Sequence, residues 1–176
     1  LLLLNTEPVL DSADAAAARQ ALVESGLVVA LTPFKDAASD VADVMLPIAP
    51  FTETAGTFVN AEGRAQSFHG VVKPLGETRP AWKVLRVLGN LLGLAGFEHE
   101  SSEAVRAEAL GGKPVSVAER LSNRAEGVAI NLSVTTPALQ RITDVPIHFA
   151  DALARRAPPL QMTRDAAPPA ARMNAA

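Results

Sequence analysis

The sequence predicts an α/β fold, a partial parallel sheet with flanking helices that runs on into an irregular Pro/Ala-rich connecting segment. Three observations predict it. The apolar runs LLLLN (1–5), LVVAL (27–31) and VMLPI (44–48) lack polar alternation, as parallel strands covered on both faces do. An alanine-rich stretch with helical punctuation separates the first two runs, giving the order strand, helix, strand. From Pro114 onward lie seven of the thirteen prolines, and the last stretch sustains no apolar period of either kind.

Each element follows from local chemistry. Asp11 is placed to cap the first helix with its side-chain oxygen, Asp14 suits the positive end of the helix dipole, and Gly26 supplies the stop. Pro33 ends the second strand, a short helical turn covers 36–42, and Pro47 argues that the third strand is an edge or is ending. Between Pro50 and Pro80 the periodicity disappears and Gly56, Gly63, Gly70 and Gly76 mark a long ordered loop or irregular hairpin. A second helix follows, because Ala81, Val84, Leu85, Leu88, Leu91 and Leu92 fall on one face of a 3.6-residue period. Pro80 fits its first turn, and Gly93 or Gly96 ends it. A third helix runs from Ser102, as cap, to Leu110 and is halted by Gly111 and Gly112. The expected organisation is therefore an α/β part over 1–110 and a connecting segment over 111–176.

Composition narrows the function classes. At 176 residues and 48% hydrophobic, the chain suffices for one cored domain or for part of a larger one. It opens on Leu1 with a run that reads as a strand already inside a fold, so we expect a piece of a longer protein. The absence of cysteine excludes disulfides, thiol nucleophiles, thiolate zinc sites and cysteine-ligated iron–sulfur clusters within these residues. Sixteen basic residues against 19 acidic ones give −3, too mild to direct the chain to nucleic acid or to an anionic membrane. With no Tyr, one Trp and six Phe, it lacks an interleaved base-stacking surface. The opening leucines are too few for a membrane span and no secretory signal is present, so the default expectation is the cytoplasm without direct membrane insertion.

The densest polar cluster is FTETAGTFVNAEGRAQ (51–66), which gathers Glu53, Thr54, Thr57, Asn60, Glu62, Arg64 and Gln66 around Gly56 and Gly63. Two readings stand side by side. Glycines allow close backbone approach, and Asn, Arg and Gln offer planar donor sets for a carboxylate, a phosphate or a pterin-like ring edge. Alternatively these side chains hold the loop itself together, with Arg64 paired to Glu53 or Glu62. Elsewhere the signals favour structure. His69, His99 and His148 are widely spaced for a metal site. Ser67 and His69 lack a nucleophile elbow, and Asp36, Asp40 and Asp43 lack the spacing of a calcium loop. Asn131-Leu132-Ser133 matches a glycosylation acceptor with no secretory signal to use it. Arg155 and Arg156 are expected to meet a carboxylate or a neighbouring domain, and Trp82 to be a packing anchor beside the helical stripe.

These residues carry a family resemblance. The segment ADVMLPIAPFTETAGTFVNAEGRAQ, followed by RPAWKVLRVLGNLLG, resembles the molybdopterin-oxidoreductase superfamily, and within it the large iron–sulfur subunit of bacterial NADH:quinone oxidoreductase, respiratory complex I. It is carried by Ala-Asp-Val-x-Leu-Pro at Ala42 to Pro47 and by Glu53, Gly56, Thr57, Asn60 and Glu62. Glu62-Gly63-Arg64 is similar to the complex I form, where formate-dehydrogenase-like relatives tend to place two arginines.

The resemblance implies a fragment of the C-terminal half, without catalytic residues or metal ligands of its own, leading toward a missing β-rich part. It implies a parent that moves electrons from NADH through [2Fe–2S] and [4Fe–4S] clusters to quinone. No cofactor is expected within this fragment. The motif loop Gly56, Thr57, Asn60, Glu62, Gly63, Arg64 and Gln66 would be a cofactor-binding loop, in a vestigial form. Expected partners are the other subunits of the complex I peripheral arm and the missing domains of the same chain, on the cytoplasmic side of the inner membrane. The alternatives are an active formate-dehydrogenase-like molybdopterin enzyme and a free-standing α/β binding module.

Overall fold

Three short strands, β1 (Leu2–Leu4), β2 (Val29–Thr32) and β3 (Val44–Pro47), form a parallel sheet in the order β1-β2-β3. The fold is given by a computed structural model that describes residues 1–62, 64–111, 127 and 146–167. Leu2 pairs with Val29 and Leu4 with Leu31, while Val29 pairs with Val44 and Thr32 with Pro47. The predicted α/β class and parallel sheet are thus present, and Pro47 ends an edge strand, where its missing N–H is harmless. The chain divides into two units, residues 1–6 with 19–127 and residues 7–18 with 128–176.

In the first unit, Leu3, Val28, Ala30 and Leu31 form a core with Leu22, Ala38, Ile48 and Ala49. The expectation of strands covered on both faces holds for β2, the central strand, and fails for the edge strands β1 and β3, the latter with Val44 43% exposed. Leu3 is buried, but Leu2 and Leu4 are 49% and 44% exposed, because β1 is an edge and the described residues cover one of its faces. Asn5 turns the chain away from β1 at φ 48° while donating its N–H to Leu31 O at 2.8 Å. Asn is among the few non-glycine residues that tolerate this left-handed backbone.

The crossover begins with α1 (Pro8–Asp11), a single turn, and continues as α2 (Ala15–Val23). Asp14, not Asp11, caps α2: its Oδ1 accepts from Ala17 N at 2.9 Å. Asp11 is too far upstream, and its carboxylate accepts from Glu7 N at 2.8 Å instead. Gly26 is not the stop either. Ser25 ends the helix by donating its hydroxyl to Ala21 O at 2.6 Å, and Gly26 keeps an ordinary backbone.

After β3 the predicted irregular region contains a regular antiparallel hairpin of β4 (Gly56–Val59) and β5 (Ala65–Phe68). Ala49 N donates to Arg79 O at 2.9 Å, which fixes the start of α3 (Ala81–Leu91) beside the sheet. Pro80 stands just before the helix rather than inside its first turn. Gly93, at φ 68°, ends α3 as expected: Leu94 N reaches back to Gly89 O and Gly93 N to Asn90 O, the double closure of a Schellman turn. Of the predicted α3 stripe, Ala81, Val84, Leu85 and Leu88 are partly covered, and the cover fails at its C-terminal end. Leu91 is 80% exposed, and Gly89 is the buried residue, because the ring of Phe97 packs directly on it. In α4 (Ser102–Ala109) the cap is Ser101, one residue before the predicted Ser102; its hydroxyl accepts from Ala104 N at 3.1 Å. Gly111, at φ 68°, follows that helix, and Gly112 lies outside the described residues.

In the second unit, the stretch expected to connect holds successive helical turns, including α5 (Ala152–Arg155) and α6 (Pro158–Gln161). Asp151 caps α5 by accepting from Leu153 N and Ala154 N. Arg155 and Arg156 do meet carboxylates. Arg156 bonds both oxygens of Glu7, at 2.8 and 3.0 Å, and Arg155 bonds Glu7 Oε1 at 3.1 Å and Asp11 Oδ1. Among the described residues no helix is long and apolar enough to cross a membrane.

Candidate functional site

The two motif segments take up distinct jobs. In Ala42 to Pro47, the Asp43 carboxylate accepts from Val28 N at 2.7 Å, while its own N–H returns to Val28 O at 2.9 Å. Asp43 therefore ties the start of β3 to the start of β2 with a charge-assisted bond. Asp40 pairs with Arg19 at 3.4 Å, so Asp40 and Asp43 serve separate contacts.

The second segment builds the hairpin. Gly56 faces Phe68 across the strands, and a Cβ there would lie 2.6 Å from Phe68 Cζ, so the ring occupies the space a side chain would need. Phe68 also stacks on Phe58, with centroids 4.9 Å apart and planes 15° from parallel. Thr57 and Ser67 share a hydrogen bond of 3.1 Å on the opposite face, and Arg106 of α4 donates to Ser67. At the tip, Asn60 Oδ1 accepts from Arg64 N at 2.8 Å and Asn60 N donates to Arg64 O at 3.2 Å, closing the turn. Gly63 lies outside the described residues. The predicted pairing of Arg64 with Glu53 or Glu62 does not form among the described residues. Glu53 instead accepts from Leu75 N at 2.9 Å, and Glu62, Arg64 and Gln66 are exposed.

Motif residues and α4 enclose a cavity of about 340 Å³, with Gly56, Thr57 and Ser67 on one side and Val105, Arg106 and Leu110 on the other. Trp82 lines it, and lines a neighbouring cavity of about 400 Å³ with Phe97, Arg86 and His99. Trp82 is thus a packing anchor between cavities, with Lys83 Nζ 5.3 Å from its ring centroid. At the mouth, Glu103 is held below the usual carboxylate range by a hydrogen bond from its own backbone N–H and another from the Ser102 hydroxyl.

The remaining candidates disperse. Ser67 is engaged with Thr57 and Arg106, which leaves it no base to activate it. His99 contacts Glu108, and no group of three or more His, Cys, Asp or Glu that could hold a metal ion occurs among the described residues. Asn131-Leu132-Ser133 lies outside them. What sequence reasoning missed is Arg106 and Glu103 as neighbours of the hairpin, since nothing in their spacing announces it.

A family model described as molybdopterin oxidoreductase matches residues 1–91. "Probable oxidoreductase YjgC" of Bacillus subtilis (strain 168) is 38% identical over 82 residues, 47% of this chain and 8% of that protein. A protein of Staphylococcus aureus (strain bovine RF122 / ET3-1) named "Putative formate dehydrogenase" is 44% identical over 61 residues, 34% of this chain and 6% of that protein. The chain therefore aligns with a small part of the length of these relatives.

Proposed function

Because the chain belongs to the molybdopterin oxidoreductase family, we propose that it is a non-catalytic structural part of an oxidoreductase subunit, the large iron–sulfur subunit of NADH:quinone oxidoreductase. The observation that carries this reading is the internal use of the motif's polar groups. Asp43 ties two strands, Thr57 bonds Ser67, Asn60 closes its own turn and Glu53 holds Leu75 N. A molybdopterin requires converging donors and acceptors, whereas the cavity under the hairpin has an apolar wall and its Arg106 already serves Ser67. These residues do not fit that group, so the motif loop, Gly56 to Gln66, acts here as a vestigial binding loop. With no cysteine in the sequence, the [2Fe–2S] and [4Fe–4S] clusters that carry electrons from NADH toward quinone would be bound outside these residues.

In this reading, 1–110 is part of the α/β domain and 111–176 connects it onward. The partners are the other peripheral-arm subunits and other domains of the same protein, on the cytoplasmic side of the inner membrane. Glu62-Gly63-Arg64 supports this parent over its relatives.

A second reading is an active molybdopterin-dependent enzyme acting on formate or a similar small substrate, favoured by the name of the Staphylococcus relative. There the exposed donors of Arg64 and Gln66 would meet the pterin. Metal analysis and assay of the full-length protein separate the two. Iron without molybdenum, together with NADH-dependent reduction of a quinone analogue, is the expected result. Stoichiometric molybdenum with formate oxidation overturns it in favour of the second reading.

A further inference from the structure

The described stretch 146–167 forms successive helical turns yet buries one apolar side chain completely, Ala166. Its larger apolar residues Ile147, Phe149, Leu153, Leu160 and Met162 are exposed. The side-chain hydrogen bonds that join this stretch to Glu7 and Asp11 of the same unit are between charged groups. Arg155 and Glu7 have side chains 7% and 9% exposed, and Asp11 is 36% exposed. Two carboxylates face two guanidiniums, and loss of a carboxylate leaves a largely buried guanidinium with fewer partners.

The two arginines are pre-set by their own segment. Arg155 Nε donates to Phe149 O at 2.6 Å, and Arg156 Nη1 donates to Ala152 O at 3.0 Å. Gln161 adds bonds to His148 O and Ala154 O that fold α6 back on α5. These bonds orient the segment so that it presents both guanidiniums to Glu7. Glu7 lies on the chain leaving β1, three residues after Leu4. Loops at the carboxyl ends of parallel strands are where such sheets receive ligands, so a contact that grips this loop controls its freedom.

We propose that Glu7, Asp11, Arg155 and Arg156 form a latch that pins the segment 146–161 to the loop leaving β1, and that on its release the segment's short helical turns open while the parallel sheet stays paired. The device is independent of which oxidoreductase contains it. Hydrogen exchange of the full-length protein, read by mass spectrometry, tests it. Glu7→Gln removes the shared acceptor's charge and should speed exchange of the Arg155, Arg156, Ala157 and Gln161 amides on the order of 100-fold or more. Exchange at Val29 and Asn5, whose N–H groups bond Leu1 O and Leu31 O, should not change. Asp11→Asn, at the more exposed end, should produce a smaller rise at the same amides, and it carries the test if Glu7→Gln does not fold. Unchanged exchange across 155–161 in the variants overturns the latch. So does an equal rise in the β1–β2 amides, which would make the cluster part of one cooperative core.

Discussion

Replacing Gly89 with Ala sets two effects of known size against each other. Gly89 is in the last turns of α3, where Ala is favoured over Gly by about 1 kcal/mol in an exposed helix. Propensity alone therefore predicts a more stable α3. The surroundings reverse the sign. A Cβ at this position would sit 2.2 Å from Phe97 Cγ, 2.3 Å from Cδ1 and 2.6 Å from Cδ2, far inside contact distance. Phe97 cannot shift slightly to make room, because the new carbon lies on the ring itself rather than at the far end of a flexible chain. Forcing an added carbon into a filled site costs roughly 1–3 kcal/mol. Displacing a half-buried Phe forfeits about 1–1.5 kcal/mol more, half of a full burial.

Set against the gain, Gly89→Ala should destabilise the α3 terminus by roughly 1–3.5 kcal/mol, or ~5- to 400-fold faster exchange at the Gly93 and Leu94 amides that close it. The double variant with Phe97→Ala isolates the cause. Compared with Phe97→Ala alone, it should exchange more slowly, since propensity then acts without the clash. Slower exchange in the single variant, or the same sign in both backgrounds, refutes the reasoning.

Other expectations follow from single contacts. Asp43→Ala leaves Val28 N without its acceptor and should lower stability by about 1–3 kcal/mol in denaturant unfolding, with Asp43→Asn costing less because its carbonyl still accepts. Ser101→Ala removes the α4 cap, and local exchange at Ala104 should report a loss of roughly 1 kcal/mol. The depressed Glu103 carboxyl favours the folded state above its ordinary titration range, and that contribution disappears as pH falls through the lowered value. A carbon-detected NMR titration should therefore find Glu103 titrating below an ordinary glutamate, and Ser102→Ala should move it back up. Gly56→Ala should displace Phe68 and break its stack on Phe58, seen as lost ring-current shifts on the hairpin.

The strands were the most legible part of the sequence, because apolar runs without alternation have few other homes than a parallel sheet. Boundaries set by competing polar groups were less legible. Asp11, Asp14, Ser101 and Ser102 are all competent caps, and the one that acts is decided by where tertiary contacts start the helix. Asp11 loses the role because Glu7 N and Arg155 claim its carboxylate. The hairpin is one of two options that the sequence allows, and its regular pairing is not legible because GTFV and AQSF carry no alternation; its order comes from Phe68 lying over Gly56, a cross-strand contact that no local period encodes. The α3 stripe holds from Ala81 to Leu88 and fails at Leu91, while Gly89 is buried because a ring eight residues later needs the space that glycine leaves.

The candidate site shows why a strong family signature does not by itself locate chemistry. A long gapped motif rich in Gly, Asp and Asn invites a ligand reading, because those residues bring backbone close and offer polar edges. The same properties suit a chain that must join strands of different sheets through a tight turn. Asp43 answers the first N–H of the core segment before β2, Gly56 admits a ring, and Asn60 supplies the turn's missing acceptor. Each of these residues has a fold-internal cause that operates with or without a cofactor. Among the described residues, the exposed side chains of Arg64 and Gln66 show no such fold-internal contact.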